Sequence, residues 1–344
     1  MNQLEKLIKP NILALQPYTS AREEYQGTEG VFLDANENPY DLKYNRYPDP
    51  YQRELKSKIA EWRSVKLDNI FLGNGSDEVI DLLIRAICEN GKDRILSLDP
   101  SYGMYKVSAA VNNIPIDLVP LDSDMNINED DFFSILNESH KLIFICSPNN
   151  PNGGVIPAKI IEKLLNSTDN LVVVDEAYID FSDSDSWCNR LSEFDNLVVL
   201  QTFSKSLGAA GIRIGMGFMN QYLVEILNKI KPPYNISVPN QEAALDRLNE
   251  LERINKLVGD IKKSITILKK DLNELSSVDF IFPSSANFLL VKFHDYKKVF
   301  STLIDHKIIV RDRSSITNCE GCLRISIGTE TENLKLIEVL KSIK

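Results

Sequence analysis

The sequence predicts an α/β protein with a mostly parallel central sheet in a large domain and a second, smaller α/β domain. From about residue 70 onward, short runs rich in Val and Ile alternate with segments whose apolar residues recur at helical spacing. The runs are apolar on both sides, which is typical of parallel strands covered by helices on both faces. After the Pro-rich segment KPPYNISVPN, the pattern changes to a long charged helical stretch, roughly 240–276, and then to further short apolar runs.

The elements of the large domain follow in chain order. NIFLGN predicts a strand, and after a turn SDEVIDLLIRAICENG predicts a helix that ends near Gly91, because its apolar residues from Val79 to Ile87 fall at helical spacing. Helices are also predicted at PAKIIEKLLNS and QYLVEILNKI. Further strands are predicted, in order, at RILSL, PIDLVPL, KLIFICSP, NLVVVDEAY, NLVVLQTFSK and IRIGMGFM. Ligands of such sheets bind beyond the carboxyl ends of the strands, so we expect the site there.

Pro232, Pro233 and Pro239 mark the boundary between the two predicted domains. We predict a large domain at 30–239 and a small domain formed by 1–29 and 240–344, in which the N-terminal segment packs against the C-terminal part. The small domain is predicted to contain strands at NFLLVKF, KIIVRDR and CLRISIG and a final helix near 332–343.

Composition and charge exclude several classes of function. The chain has 344 residues, and its net charge of −10 disfavours a general affinity for nucleic acid or an anionic membrane surface. No apolar run approaches the roughly 20 residues of a membrane span, and the start MNQLEKLIKP has no apolar core of a signal peptide, so we expect a cytoplasmic protein. The pair Cys319 and Cys322 has no second Cys or His pair nearby, so we expect two ordinary thiols and no metal site.

The stretch FLGNGSDE combines a glycine-containing turn with the start of a helix. Ser76 and Asp77 would begin that helix, whose free backbone N–H groups could hold a phosphate. A capped helix without a ligand remains an alternative, because Ser and Asp favour that position anyway. Glu78 stands where a dinucleotide-binding fingerprint would have its third glycine.

Two other strand ends bring an acid and an amine into one predicted crevice. The run LVVVDEAYIDF ends in Asp175 and Glu176, and Lys205 follows the next strand thirty residues after Asp175. The small residues of SKSLGAAG would let a flat ligand approach Lys205 closely. An ordinary surface lysine remains the alternative for Lys205. A P-loop nucleotidase is excluded, since no G-x-x-x-x-G-K-[ST] occurs in the chain.

Ten motifs occur in one order over nearly the whole chain: LQPYTSAREEY, NENPY, NRYPDP, GNGSDE, PSYGMY, SPNNPNG, DEAY, SKSLGAAGIRIG, RDRSSITNCEGCLR and CLRISIGT. On these motifs the chain resembles the fold-type-I pyridoxal-phosphate-dependent aminotransferases, and among them the histidinol-phosphate aminotransferases. The resemblance implies a homodimeric enzyme that uses pyridoxal 5'-phosphate. It would move the amino group of histidinol phosphate to 2-oxoglutarate, giving imidazole acetol phosphate and glutamate in histidine biosynthesis.

The resemblance also implies a role for each matched residue of the cofactor site. Lys205 would bind the cofactor aldehyde and later move a proton, and Asp175 would keep the ring nitrogen protonated. Tyr102 would stack on the ring, and Asn150 and Tyr178 would hydrogen-bond its phenolic oxygen. The residues expected around the cofactor phosphate are Gly75, Ser76, Asp77, Thr202, Ser204 and Arg213.

On the substrate side, the resemblance implies that Arg324 and Arg311 bind an anion. Two guanidinium groups suit either the phosphate of one substrate or the carboxylate of glutamate. Tyr18 and Tyr47 match phosphate-contacting tyrosines of the family, and Tyr47 would reach across from the other subunit. Arg313 is an additional arginine to which the resemblance assigns no role.

The chain departs from the family pattern at Asn152, where Thr is usual, and at Asp41, where Gly is usual. Neither position carries the chemistry. Sister enzymes with the same cofactor residues remain open, either an aromatic aminotransferase or a threonine-phosphate decarboxylase. Alternatives from other classes are a protein that binds pyridoxal phosphate without turnover and a nicotinamide oxidoreductase, which the missing third glycine disfavours.

Overall fold

The computed structural model describes residues 3–18 and 30–343. The helices are α1 (Pro10–Leu13), α2 (Arg53–Arg63), α3 (Ser76–Ile87), α4 (Met104–Val111), α5 (Glu129–Ile135), α6 (Ala158–Ser167), α7 (Gln221–Ile230), α8 (Val238–Leu248), α9 (Leu251–Asn273), α10 (Tyr296–Asp305) and α11 (Glu330–Lys341). The strands are β1 (Ile70–Asn74), β2 (Arg94–Asp99), β3 (Ile116–Pro120), β4 (His140–Cys146), β5 (Leu171–Asp175), β6 (Leu197–Thr202), β7 (Ile214–Phe218), β8 (Val278–Ile281), β9 (Phe288–Phe293), β10 (Arg311–Asp312) and β11 (Cys322–Ser326).

The large sheet has seven strands in the order β1-β7-β6-β5-β4-β2-β3. The pairs from β3 through β2, β4 and β5 to β6 are parallel, whereas β7 is antiparallel to both of its neighbours. Alternate residues of β5 pack into two different cores, with Val172 and Val174 on one face and Val173 on the other. Helices cover both faces, so the prediction of a mostly parallel α/β sheet is confirmed.

The small sheet has four strands in the order β10-β11-β9-β8, all antiparallel. Leu323 and Ile325 of β11 face a core shared with α9, α10 and α11. Cys322 lies on the opposite face and packs into the same core as the large sheet. The small sheet therefore presents one face to its own helices and the other to the large domain. The sequence reading missed β8 because only four residues form it.

The charged stretch predicted at 240–276 forms two helices instead of one. Helix α8 ends at Leu248 and α9 begins at Leu251. Ala244 and Leu248 of α8 pack into the core of the large sheet. The domain boundary at 239/240 stays a prediction, although α8 already belongs to the large-domain core.

The N-terminal segment lies on the large domain, which differs from our expectation. Leu4, Leu7 and Ile8 are buried in one core with residues of α3 and α7, and the Lys9 N–H donates to the carbonyl of Ala86 at 2.9 Å. The expectation that this segment packs against the small domain is therefore wrong for residues 3–13, because their apolar side chains cover the outer helices of the large sheet. The rest of the motif LQPYTSAREEY after Tyr18 lies outside the described residues.

Within the two described ranges, no helix combines the length and apolar character needed to cross a membrane.

Candidate active site

The predicted site residues meet at the carboxyl ends of β4, β5 and β6. Asn150 follows β4, Asp175 ends β5 and Lys205 follows β6. Because these strands are parallel neighbours, their ends lie at one edge of the sheet. Lys205 Nζ is 5.5 Å from the centre of the Tyr178 ring, and Asn150 Nδ2 donates to the Tyr178 hydroxyl at 3.3 Å. The structure therefore brings these four residues together, as expected.

Asp175 is buried and held by two hydrogen-bond donors. The Tyr105 hydroxyl donates to its Oδ2 at 2.7 Å, and the Ala177 N–H donates to its Oδ1 at 3.1 Å. Burial raises the pKa of Asp175, while the two hydrogen bonds oppose that rise. A buried carboxylate gains most from a cationic partner, so this site suits a protonated ring nitrogen.

Tyr105 is a buried hydrogen-bond partner of Asp175 that the sequence motifs do not indicate. It is fully buried in α4, and its ring stacks on Phe144 of β4 with centroids 4.6 Å apart. The motif PSYGMY contains two tyrosines, and the resemblance implies a role only for Tyr102. The ring of Tyr102 packs edge-on against that of Tyr105, with ring centroids 5.5 Å apart. The Tyr102 hydroxyl donates to Asp77 Oδ1 at 3.0 Å.

Lys205 is a partly buried amine among other cations. Burial lowers its pKa, and the charges of Arg324 and Arg213 lower it further, while Asp175 acts in the opposite direction. An amine with a lowered pKa gives up and regains a proton more easily near neutral pH. This electrostatic setting fits the role that the resemblance implies for Lys205.

A loop contact fixes the chain that follows Lys205. The hydroxyl of Ser206 donates to Asp180, which also accepts two hydrogen bonds from the Arg63 guanidinium at 2.9 and 3.0 Å. Arg63 comes from the end of α2, far away in sequence. Sequence motifs do not indicate this contact, because Arg63 and Asp180 are 117 residues apart.

A turn at the start of α3 meets Arg213. Gly75 has a φ of +79°, and its N–H donates to the carbonyl of Arg213 at 2.8 Å. A Cβ on Gly75 would lie 2.7 Å from Arg213 Nη2, and one on Gly215 would lie 2.0 Å from the Ser76 nitrogen. Both glycines are therefore required for the N-terminus of α3 to approach Arg213 and β7.

This turn has the composition of a phosphate site. Arg213 Nη2 lies 3.5 Å from Asp77 Oδ2, and its Nη1 lies 3.4 Å from the Ser204 hydroxyl. A helix N-terminus with an arginine beside it favours an anion. The Thr202 hydroxyl donates to the carbonyl of Ile214 at 3.3 Å and accepts from the Ser204 N–H at 3.1 Å. Its contact with the phosphate stays a prediction.

Arg324 reaches the cofactor site from the small domain. It lies on β11 directly opposite Arg311 of β10, and its Nη1 donates to Asn150 Oδ1 at 2.6 Å. Its guanidinium lies 5.2 Å from the Phe288 ring centroid, and burial lowers its pKa. A cation of the small sheet thus lies beside Asn150.

Two predicted tyrosines are not part of this cluster. Tyr18 is exposed and lines a separate pocket with Tyr51 and Lys231. Tyr47 is half exposed and stacks on Tyr234 with ring centroids 4.4 Å apart. Among the contacts of the described residues, neither tyrosine reaches Lys205 or Arg324.

Glu176 and Asn152 serve the surrounding structure. Glu176 is buried and accepts hydrogen bonds from the Ser186 hydroxyl at 2.6 Å, the Trp187 N–H at 2.7 Å and Gln201 Nε2 at 2.9 Å; burial raises its pKa to about 7. Asn152, which stands at the family's threonine position, is buried and accepts from Asn149 Nδ2 at 2.9 Å. The side-chain oxygen of Asn152 therefore has a hydrogen-bond donor within the loop after β4, so the loop accommodates Asn where the family usually has Thr.

A buried acid at the end of β5, a partly buried lysine after β6 and an arginine beside the start of α3 form the arrangement expected of a pyridoxal-phosphate-dependent transferase. The chain belongs to the family of aminotransferases of class I and II, whose sequence model matches residues 33–340. This membership makes the protein an enzyme and sets aside the nicotinamide oxidoreductase alternative. Its cofactor is pyridoxal phosphate. The buried Asp175 carboxylate, the Lys205 amine and Arg213 beside the start of α3 fit that group.

Individual relatives are similar over almost their whole length. The chain is 48% identical to histidinol-phosphate aminotransferase of Cytophaga hutchinsonii, over 98% of this chain and 99% of that one. It is 49% identical to the protein of the same name from Christiangramia forsetii, over 99% and 98%. Among solved structures, it superposes on histidinol-phosphate aminotransferase from Clostridium acetobutylicum with a TM-score of 0.81 and 27% identity, covering 88% of this chain and 91% of that one.

Proposed function

We propose that this enzyme transfers the amino group of histidinol phosphate to 2-oxoglutarate, giving imidazole acetol phosphate and glutamate, as a step of histidine biosynthesis. The observation that carries the proposal is the 2.6 Å hydrogen bond from Arg324 to Asn150, which sets an anion-binding group beside the cofactor residues. The names and full-length similarity of the relatives support the same substrate.

The proposed chemistry depends on a proton transfer at the substrate α carbon. Pyridoxal phosphate supplies a ring that withdraws electrons and so makes that proton more acidic. Lys205 would accept that proton from the α carbon and could donate it again, which its lowered pKa favours. Asp175 would keep the ring nitrogen protonated, and Asn150 and Tyr178 would hold the ring through its phenolic oxygen.

The anionic end of each substrate would meet Arg324 and Arg311. These residues lie opposite each other on β11 and β10, so both guanidinium groups can serve one ligand. The phosphate of histidinol phosphate and a carboxylate of glutamate would occupy this subsite in turn. One site then serves both halves of the reaction.

A homodimer with shared active sites is part of the proposal. The segment 31–47 exposes Val31, Leu33, Tyr40, Tyr44 and Tyr47, which is a large apolar surface for one short stretch of chain. A second copy covering this stretch would bury it and bring Tyr47 to the neighbouring site. Tyr18, which is also exposed, would join the same subsite.

We place the enzyme in the cytoplasm. All five cysteines, namely Cys88, Cys146, Cys188, Cys319 and Cys322, are free and buried, which suits a reducing compartment.

The test is the absorbance spectrum of the purified enzyme combined with product analysis. Histidinol phosphate should bleach the yellow band, and 2-oxoglutarate should restore it with formation of glutamate. Phenylalanine and threonine phosphate serve as competing donors, because an aromatic aminotransferase would prefer the first and a threonine-phosphate decarboxylase would release carbon dioxide from the second. The proposal fails if histidinol phosphate is not the best of the three.

A further inference from the structure

We propose that Arg313 is a third arginine of the anion subsite and that it makes the subsite selective for a phosphate dianion over a carboxylate. The inference concerns how one subsite treats two different anions, and it rests on the proposed function for the choice of substrates.

The backbone sets Arg313 on the same sheet face as the other two arginines. Arg311 pairs with Arg324, and the Arg313 N–H donates to the carbonyl of Cys322 at 3.0 Å, so the antiparallel pairing continues for one more step. Because side chains alternate along a strand, Arg311, Arg313 and Arg324 share one face. The intervening Leu323 packs into the core of the small domain on the other face. The three arginines therefore face the large domain and the cofactor residues.

Among the described residues, no carboxylate pairs with these three guanidinium groups, and the buried Nε of Arg313 has no hydrogen-bond acceptor. Burial lowers the pKa of Arg313, and the charges of Arg324 and Arg311 lower it further. Arginine stays protonated in proteins, so this arrangement carries an electrostatic cost that a bound anion would relieve.

The chemistry of the two anions decides which one needs a third arginine. A carboxylate has one charge and two oxygens, which Arg324 and Arg311 can satisfy. A phosphate monoester carries a charge of about −1.5 to −2 at neutral pH and has three acceptor oxygens. Arg313 therefore finds a full partner only when the phosphate substrate is bound.

The experiment compares Arg313→Gln with wild type in the holoenzyme, in which the cofactor fills its own phosphate turn. The quantities measured are the KM for histidinol phosphate, the KM for glutamate, and the inhibition constant of inorganic phosphate. We expect Arg313→Gln to raise the KM for histidinol phosphate and the inhibition constant of inorganic phosphate by about tenfold or more. The KM for glutamate should rise by less than about twofold. Arg313→Lys should recover part of the loss, because it keeps the charge without the planar fork.

Thermal unfolding supplies a readout that does not depend on turnover. Arg313→Gln should unfold at the same or a higher temperature than wild type without phosphate, since a like-charge repulsion is removed. Inorganic phosphate should stabilise the variant less than wild type. Arg253→Gln is the matched control, because Arg253 is an exposed arginine of α9 that pairs with Glu250 at 3.4 Å.

Each outcome decides one question. Equal losses for phosphate and glutamate, or phosphate constants that match those of Arg253→Gln, would overturn the role of Arg313 and leave the proposed function intact. If wild type does not use histidinol phosphate, the proposed function falls. In that case, weaker thermal stabilisation of Arg313→Gln than of wild type by inorganic phosphate would still support phosphate binding by Arg313.

Discussion

The hydroxyl of Tyr105 donates a 2.7 Å hydrogen bond to Asp175, and both groups are buried beneath the cofactor site. Tyr105 comes from α4 and Asp175 from the end of β5, so the bond joins a helix to the strand that carries the acid. Tyr105 is thus a positioning residue that orients the carboxylate and favours its ionised form.

Replacing Tyr105 with Phe should therefore impair Asp175 while keeping the ring that stacks on Phe144. Burial raises the pKa of Asp175, and the hydrogen bond from Tyr105 lowers it. Loss of this hydrogen bond should therefore raise the pKa of Asp175 further. An unsatisfied buried acceptor costs about 1–3 kcal/mol, and we expect kcat to fall roughly tenfold.

The pH profile distinguishes this role from a structural one. Because the pKa of Asp175 rises, the acidic limb of kcat should move to higher pH in Tyr105→Phe. A variant with lower kcat but an unmoved acidic limb would show that Tyr105 serves only packing.

The large sheet and the residues at its strand ends could be predicted for a physical reason. Parallel buried strands leave apolar runs in the sequence, and their carboxyl ends must share an edge, so Asn150, Asp175 and Lys205 could be placed together. Tyr105 could not be assigned, because a tyrosine in a helix looks like core until its hydroxyl partner is known.

Contacts between distant segments also escaped the sequence reading. The spacing of Leu4, Leu7 and Ile8 indicates a buried face but does not say which domain covers it. The pairing of Arg63 with Asp180 left no local pattern. The sequence also does not show that Arg311 lies opposite Arg324, because that position depends on the register in which β10 pairs with β11.

Lys205→Ala should abolish turnover and leave the fold intact. Removing the proton-transferring amine should cost at least about a thousandfold in kcat, since it also attaches the cofactor. The thermal midpoint should stay near that of wild type. Lys256→Ala, at an exposed lysine of α9, is the control and should keep full activity. Appreciable turnover of Lys205→Ala without an added amine would remove Lys205 from its proposed role.

Arg324→Gln should weaken both halves of the reaction. Arg324 would bind phosphate in one half and carboxylate in the other, so the KM values for histidinol phosphate and for glutamate should both rise by roughly tenfold to a hundredfold. The hydrogen bond to Asn150 Oδ1 is lost as well, which should lower kcat. A loss confined to one substrate would contradict the shared subsite. Arg253→Gln again provides the control for removing a cation from the small domain.

Subunit mixing tests whether Tyr47 acts across a dimer interface. Tyr47→Ala should raise the KM for histidinol phosphate, and Lys205→Ala should be inactive, so each variant alone should show little turnover at low substrate concentration.

In a mixed dimer with shared sites, one site would carry both substitutions and the other would carry none. Unfolding and refolding the two variants together should then restore about a quarter of the wild-type activity, because half of the dimers are mixed and each has one intact site. If Tyr47 served its own subunit, or if the protein were a monomer, every site would keep a defect and mixing would restore nothing. Light scattering of the same samples gives the mass that distinguishes these two cases.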